Sequence, residues 1–551
     1  MNIIQFLLGK FFAEESRNTI LMITVSFIIN ILQTNGISYI TANIINSLQN
    51  KNNANAILFF KYFMAISLTY AAFYYLYKIC QNKLLTKLRQ WIRFQLVRML
   101  LLVNNENFSG INFTKLSSPI NRLSSVCFMV FNDIIAYLLP NIIFLIIIAG
   151  YFLWKDVFFG IGFILGNVIL ILYLLYQWNT MKNANDEYET HVSENEAYLI
   201  EILANMDKIV YRGQTTNEID VFSQKTDKSI AKSYSFYEST NFNCSVMNVM
   251  VFVIMFCSIG YLIQLYLKKK IDLTVFITFF TIMLLYRDKM FNAIQQVPDF
   301  IEFMGRSESV LNHFKGMEQD YNNLDTKDYP VLVLPFDRID FTNLSFTYEG
   351  TDSPVFKDMN LTLDTTGNKI IGITGISGRG KSTFMKMLIK MYPCQEGAIY
   401  IDGENIQNID ADYIRANITY VNQNSKLFDR KIIENIMYGC SDFDACKTYY
   451  DQIIQYPKIR ELYKNLDMNE SKAGSLGEKL SGGQRQVVNL IGGLVNPSKI
   501  LILDEPTNAL DPELKSEILE LIGIFRNYKQ CIIIITHDQA VIPLFDENIV
   551  L

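Results

Sequence analysis

The residues most able to do chemistry stand together at Gly375-Ile376-Ser377-Gly378-Arg379-Gly380-Lys381-Ser382-Thr383. Their spacing is GxxxxGK[ST], and they follow the apolar run KIIGIT and precede a helix-forming run. Glycines let a backbone wrap closely around phosphate and turn several N–H groups toward it, and a following helix start adds its dipole. In such a loop Lys381 is expected to reach the β- and γ-phosphates of a nucleotide, and the Ser382 hydroxyl to ligate Mg²⁺. A second candidate is the run ILILD, which ends at Asp504 and is followed by Glu505. A carboxylate at the end of a buried strand can hold Mg²⁺ through water, and a second beside it can polarise an attacking water as general base. The chemistry these residues imply is hydrolysis of a nucleoside triphosphate.

The elements that must position them are strands alternating with helices. After Phe336 the β-rich runs FTNLSFTY, KIIGIT, AIYID, ILILD and CIIIIT are separated by helical stretches, the pattern of an α/β nucleotide-binding domain. Ahead of it, Arg306 to Pro335 is polar and reads as a linker. The domain boundaries read from the sequence are a lead-in helix over 1–18, a membrane domain over 19–305, a linker over 306–335 and a nucleotide-binding domain over 336–551.

The first 305 residues differ in kind. Half of the 551-residue chain is hydrophobic and only 19% is charged, and the excess falls in six runs near the length of a bilayer span. They lie at about 19–45, 56–80, 128–153, 157–178, 243–266 and 271–294. The second contains Lys61, and the sixth ends in Arg287, Asp288 and Lys289. Those last charges face either a cavity or the headgroup zone. Between the second and third spans, and again between the fourth and fifth, long stretches of mixed charge keep helical periodicity. They are expected to carry the spans beyond the bilayer as stalks. The opening MNIIQFLLGKFFAEESRN has its apolar run broken by Lys10, and is expected to lie as an amphipathic helix at the membrane surface rather than to be cleaved. A net charge of −5 gives no support for nucleic acid as a partner. The eight cysteines show no CxxC or Cys/His spacing, so neither a disulfide framework nor a zinc site is expected.

About twenty residues before Asp504 stands Leu480-Ser481-Gly482-Gly483-Gln484. With this motif the chain resembles the ATP-binding cassette (ABC) family, whose signature is LSGGQ. The resemblance implies a multi-domain fold: an all-α, six-helix transmembrane domain with long intracellular helices, then an α/β P-loop NTPase domain. It implies ATP and Mg²⁺ as cofactors and a site completed in trans, in which the signature of one cassette caps ATP held by the P-loop of another. Further positions match the family in order. Tyr348 matches the aromatic residue that stacks on adenine, Gln423 the glutamine that senses Mg²⁺ and water, Asp511 the residue bridging two cassettes, and His537 the histidine that contacts the γ-phosphate. Glu505, His537, Lys381 and Gln423 are thus the expected catalytic set, with Ser382, Gln423 and Asp504 at the metal.

The resemblance covers essentially the whole chain and is to exporter-type half-transporters. It implies a second half-transporter as partner, a bilayer, and an amphipathic or hydrophobic substrate whose identity is not written in the sequence. Because ATP is cytosolic, the ATPase domain is expected in the cytosol, and an even number of spans puts the N-terminus there too. Coupling helices are expected near Asn105–Thr114 and Met206–Gly213. An importer of the same architecture and an ATP-regulated channel are the rival readings; a soluble cassette acting on ribosomes is opposed by the six spans. Two departures from the family pattern concern the signature region. Gly474-Ser475 stands where a Gly-Glu pair is usual, and Gly492-Gly493 falls inside an expected helix, where each glycine costs roughly 1 kcal/mol relative to alanine.

Overall fold

In the computed structural model of the chain, residues 3–551 are described apart from 106–116, 312–313, 316, 318–319, 322–328, 331, 349–350, 352, 377, 424–425 and 509. The chain divides into two compact units, one of Met1–Leu100 with Asn112–Asp320 and one of Leu101–Ile111 with Tyr321–Leu551.

The first unit is helical. A short helix α1 (Ile3–Glu14) buries Leu7 and Phe11. It leads into α2 (Ser16–Ile31) and α3 (Ser38–Gln49), joined by a π-helical stretch over Leu32–Ile37. Then come α4 (Asn53–Val103), α5 (Ser117–Val130), α6 (Leu139–Lys155), α7 (Val157–Ala204), α8 (Met206–Tyr211), α9 (Thr215–Leu267), α10 (Leu273–Gln295) and α11 (Val297–Leu311). The helices α4, α7 and α9 have 51, 48 and 53 residues. At 1.5 Å per residue each is over 70 Å long, more than twice the roughly 30 Å of a hydrocarbon core. Each therefore continues the span it begins or ends well past a bilayer, as the helical periodicity of the mixed-charge stretches requires.

Among the described residues, five helical stretches are long and apolar enough to cross a membrane: Ser16–Gln49, Asn53–Val103, Pro119–Lys155, Val157–Ala204 and Thr215–Leu267. The sixth apolar run forms α10, whose last turns carry Arg287, Asp288 and Lys289. The Arg287 guanidinium donates to Asp288 Oδ1 at 2.6 Å. Helix α11 runs on to Leu311, past residue 306 where the composition turns polar. Polar residues with good helix propensity extend a helix as readily as apolar ones, so a change in composition does not mark a helix end.

Polar groups pin this apolar bundle. Tyr173 donates to Asn243 at 2.9 Å between α7 and α9, and Tyr286 to Asn167 at 2.9 Å between α10 and α7. Asp156 and Asp272 cap the starts of α7 and α10, each accepting a backbone N–H at 2.8 Å. The elbow helix α8, between the ends of α7 and α9, has no buried residue.

The second unit holds two sheets. Strands β1 (Arg338–Phe346), β2 (Phe356–Asp364), β4 (Glu396–Ile401) and β5 (Glu404–Asn405) form an antiparallel sheet in the order β2-β1-β4-β5. Strands β3 (Lys369–Thr374), β6 (Ile418–Val421), β7 (Ile500–Asp504), β8 (Cys531–Ile535) and β9 (Glu547–Val550) form a second sheet in the order β6-β7-β8-β3-β9, parallel in every pairing. Its helices are α12 (Lys381–Leu388), α13 (Ala411–Asn417), α14 (Ile432–Ile436), α15 (Phe443–Ile453), α16 (Pro457–Leu462), α17 (Gly482–Val495) and α18 (Pro512–Phe525).

Every residue of β7 and β8 is buried, which is why both read as unbroken apolar runs. Alternate side chains serve opposite faces. Ile532 and Ile534 join Leu501 and Leu503 against α14, α15, α17 and α18, whereas Ile533 and Ile535 join Ile500 and Ile502 against α12 and the antiparallel sheet. The rings of Phe341 and Phe384 stack at 4.0 Å, fastening that sheet to α12. Since β3, β8 and β7 are neighbours and parallel, the segments leaving their carboxyl ends converge at one edge of the sheet.

Candidate active site

The loop leaving β3 carries Gly375, Ile376, Gly378, Arg379 and Gly380; Ser377 lies outside the described residues. Gly380 has φ +81°, and a Cβ there would meet Val355 Cγ1 at 2.4 Å, so the turn into α12 requires glycine. The Lys381 side chain is buried, and its ammonium donates to the carbonyls of Gly375 at 3.0 Å and Ile376 at 3.1 Å. The next residue, Ser382, donates to Asp504 Oδ1 at 2.9 Å across to the end of β7. Thr383 meets the Tyr348 hydroxyl at 2.6 Å, which holds that ring over the start of α12, edge-on to Phe346 and Tyr392.

The other oxygen of Asp504 accepts from the Tyr420 hydroxyl at 2.5 Å. Tyr420 is on β6, the neighbour of β7. Burial, then the Asp504 carboxylate, push the phenol well above its ordinary pKa, so it stays a donor. Asp504 is thereby held at both oxygens, one toward Ser382 and one toward Tyr420. A serine hydroxyl and a carboxylate oxygen facing each other are the hard oxygen donors that Mg²⁺ takes.

Glu505 has φ +51°, a left-handed backbone that costs a non-glycine residue of order 1 kcal/mol or more and recurs at functional sites. Its N–H donates to Ile535 O at 2.8 Å. Its carboxylate accepts from Thr536 at 3.2 Å and lies 2.7 Å from His537 Nδ1. Thr536 and His537 directly follow β8, so two adjacent strand ends place the expected base and the expected phosphate contact side by side. The Gln486 amide donates to the carbonyls of Glu505 and Pro506 at 3.0 and 2.9 Å, tying α17 to the same turn.

The signature opens α17. Ser481 is its N-cap, accepting from Gln484 N at 3.2 Å while Gln484 Oε1 accepts from Ser481 N at 2.9 Å. Leu480 is buried, and Ser481 and Gly482 are exposed with open space around the Gly482 Cα. Gly493, deeper in α17, explains the pair of helix glycines. A Cβ there would meet Val421 Cγ2 at 2.4 Å, so α17 lies directly on β6.

The structure thus brings Lys381, Ser382, Thr383, Tyr348, Asp504, Glu505 and His537 together at one sheet edge. It leaves three expected site features apart from them. Gln423 is exposed in the turn after β6, and no hydrogen bond among the described residues ties it to the Ser382–Asp504 pair. Asp511 caps α18, accepting from Leu514 N at 2.9 Å. No hydrogen bond among the described residues joins Leu480, Ser481, Gly482, Gly483 or Gln484 to the chain's own phosphate loop. Sequence reading missed Tyr420, Thr536 and Gln486. Each sits within three residues of a motif, which was the only available signal.

A family model described as the ABC transporter transmembrane region matches residues 20–290, and one described as ABC transporter matches residues 356–508. The chain belongs to the ABC transporter family. Among curated proteins it is 32% identical over 212 residues to the ATP-dependent lipid A-core flippase of Idiomarina loihiensis, over 38% of this chain and 36% of that protein. It is 29% identical over 247 residues to a putative multidrug export ATP-binding/permease protein of Staphylococcus aureus, over 43% of this chain and 42% of that one. These matches span under half the length of the relatives. A bacterial Atm1-family ABC exporter with ATP bound shares the fold at a TM-score of 0.75 and 18% identity, over 98% of this chain and 93% of that one.

Proposed function

We propose that the chain is an ATP-driven exporter of an amphipathic or hydrophobic substrate, built as a half-transporter that works as a dimer. The observation that carries the ATPase reading is the pairing of a two-point-held Asp504 with a left-handed Glu505 against His537, next to the phosphate loop. The membrane reading rests on the five helical stretches able to cross a bilayer. Names of curated relatives point to export.

Bound Mg²⁺, held by Ser382 and Asp504, would offset the charge of the β- and γ-phosphates. Lys381 moves from the loop carbonyls to those phosphates, and the loop N–H groups and the start of α12 orient them. Glu505 takes a proton from water in line with the γ-phosphate, and His537 holds the geometry of the transferring oxygens. Exposed Ser481 and Gly482 present a hydroxyl and N–H groups to the nucleotide of a second copy. Tyr348 supplies the ring for adenine. Arg415 of α13 donates to Asn105 Oδ1 at 2.6 Å, and Asn105 to Asp412 at 3.1 Å. Asn105 begins the first stretch expected to couple ATP hydrolysis to transport; the rest of that stretch lies outside the described residues. The second is the exposed α8. The ATPase unit and the N-terminus face the cytosol.

The test is ATP-dependent movement of fluorescent phospholipids and hydrophobic dyes in inverted vesicles holding the chain. Accumulation inside the vesicles supports export, while loss of preloaded probe on adding external ATP indicates import. Ion current uncoupled from turnover indicates a channel.

A further inference from the structure

The antiparallel helices α7 and α9 enclose an apolar cavity of about 590 Å³ that none of the chemistry above uses. Its walls include Phe158, Gly162 and Ile169 on α7 and Val253 and Cys257 on α9. One end lies where the rings of Phe159 and Tyr261 stack at 6.3 Å. Past the other end, the Tyr173–Asn243 hydrogen bond closes the pair. Between, Gly166 lets the helices touch, since a Cβ there would meet Ile254 Cγ1 at 2.9 Å; Gly162 leaves open space, with nothing within 4 Å.

From Phe158 to Ile169 the groove runs eleven residues, about 17 Å along α7. That is close to one leaflet, half of a roughly 30 Å hydrocarbon core. It lies within two stretches able to cross a membrane, and Phe158, Ile169 and Val253 are exposed on its rim, so it opens toward a membrane's interior.

The headgroup level at the Phe159–Tyr261 end is marked by exposed Trp154 and Lys155, whose ammonium sits 4.0 Å over the indole. On the α9 side, Lys268, Lys269 and Lys270 begin about 10 Å beyond Tyr261. All three are exposed, and none forms an ion pair among the described residues. The neighbouring acids Asp156 and Asp272 are engaged as helix caps. Four cations against two carboxylates leave a positive rim at the mouth of a leaflet-deep apolar slot.

We infer that this groove binds one acyl chain of an anionic phospholipid of the surrounding bilayer, with the phosphate headgroup against Lys268–Lys270 and Lys155. The lipid is a resident of the α7–α9 pair, separate from cargo. With the orientation proposed above it belongs to the non-cytosolic leaflet.

The test uses the full chain in nanodiscs of phosphatidylglycerol and phosphatidylcholine, equimolar and with matched acyl chains. Native mass spectrometry counts the lipids that survive graded delipidation. Wild type is expected to retain phosphatidylglycerol about tenfold over phosphatidylcholine. One lysine near a charged lipid surface is worth about a fivefold change. Substituting Lys268→Gln, Lys269→Gln and Lys270→Gln together, on an exposed turn, is therefore expected to bring the preference below threefold. Gly162→Leu, which fills the slot, is expected to lower retention of both lipids. Equal retention of the two lipids by wild type, or an unchanged preference in the triple variant, overturns the inference. So does efficient cross-linking of Cys257 to a second copy in the lipid-filled disc, which would show that another chain covers the groove.

Discussion

Asp504 is a carboxylate with both oxygens committed, to Ser382 at 2.9 Å and to Tyr420 at 2.5 Å. The first bond is to a residue that shares its expected metal, so among the described residues the tyrosine is the anchor that does not also ligate that metal. Hydrogen bonds to charged groups are worth about 1.5–3 kcal/mol. Tyr420→Phe is therefore expected to raise the Mg²⁺ concentration for half-maximal ATPase activity about tenfold, with a smaller effect on ATP affinity. A variant with an unchanged Mg²⁺ titration would show that Asp504 needs no second anchor. Motif residues such as Lys381 and Glu505 were legible because their types and spacing are dictated by phosphate and water. Tyr420 was not, since a tyrosine on an apolar strand reads the same whether its hydroxyl serves a site or merely meets the surface. The left-handed backbone of Glu505 was equally hidden: glutamate gives no local signal for positive φ.

At the scale of elements, the helix α17 shows how a propensity rule is overridden. Glycine costs a helix interior roughly 1 kcal/mol, yet Gly493 lies where a methyl group would run into Val421 at 2.4 Å. Gly493→Ala is expected to destabilise the nucleotide-binding unit by about 1–3 kcal/mol, because overpacking outweighs the propensity gain. Gly523, within α18, has nothing within 4 Å of an added Cβ. Gly523→Ala is expected to stabilise by about 0.5–1 kcal/mol. Thermal unfolding of the full chain in detergent, read from the lower transition, checks both; the same sign for the two variants would contradict this packing account. The strands β3, β7 and β8 were readable as apolar runs, and the stalks as helical periodicity continuing beyond apolar spans. The change to polar composition at residue 306 falls inside α11, because polar residues extend a helix without an apolar signal. Nothing in the sequence pairs α7 with α9 at a particular register, so their groove appears only in the fold.

For the whole molecule, the signature is exposed at Ser481–Gly482, as the proposed site shared between two copies requires. Mixing two inactive chains tests this. In a dimer of Lys381→Ala with Ser481→Arg, a shared arrangement leaves one site wholly intact, whereas a site built within each chain leaves none. Differentially tagged, co-purified dimers are expected to regain ATPase activity well above either parent; activity no higher than the parents would place each site within one chain. The cargo was not legible at any scale, since the aromatic and aliphatic faces that would meet it are the same residues that pack spans and face lipid. The catalytic assignment is open to direct test in purified, reconstituted chain. Removing a general base typically costs 10²–10⁴-fold. Vanadate-sensitive ATP hydrolysis is expected for wild type, and its loss by at least a hundredfold in Glu505→Gln with ATP binding retained. Hydrolysis in that variant at the wild-type rate would contradict the account.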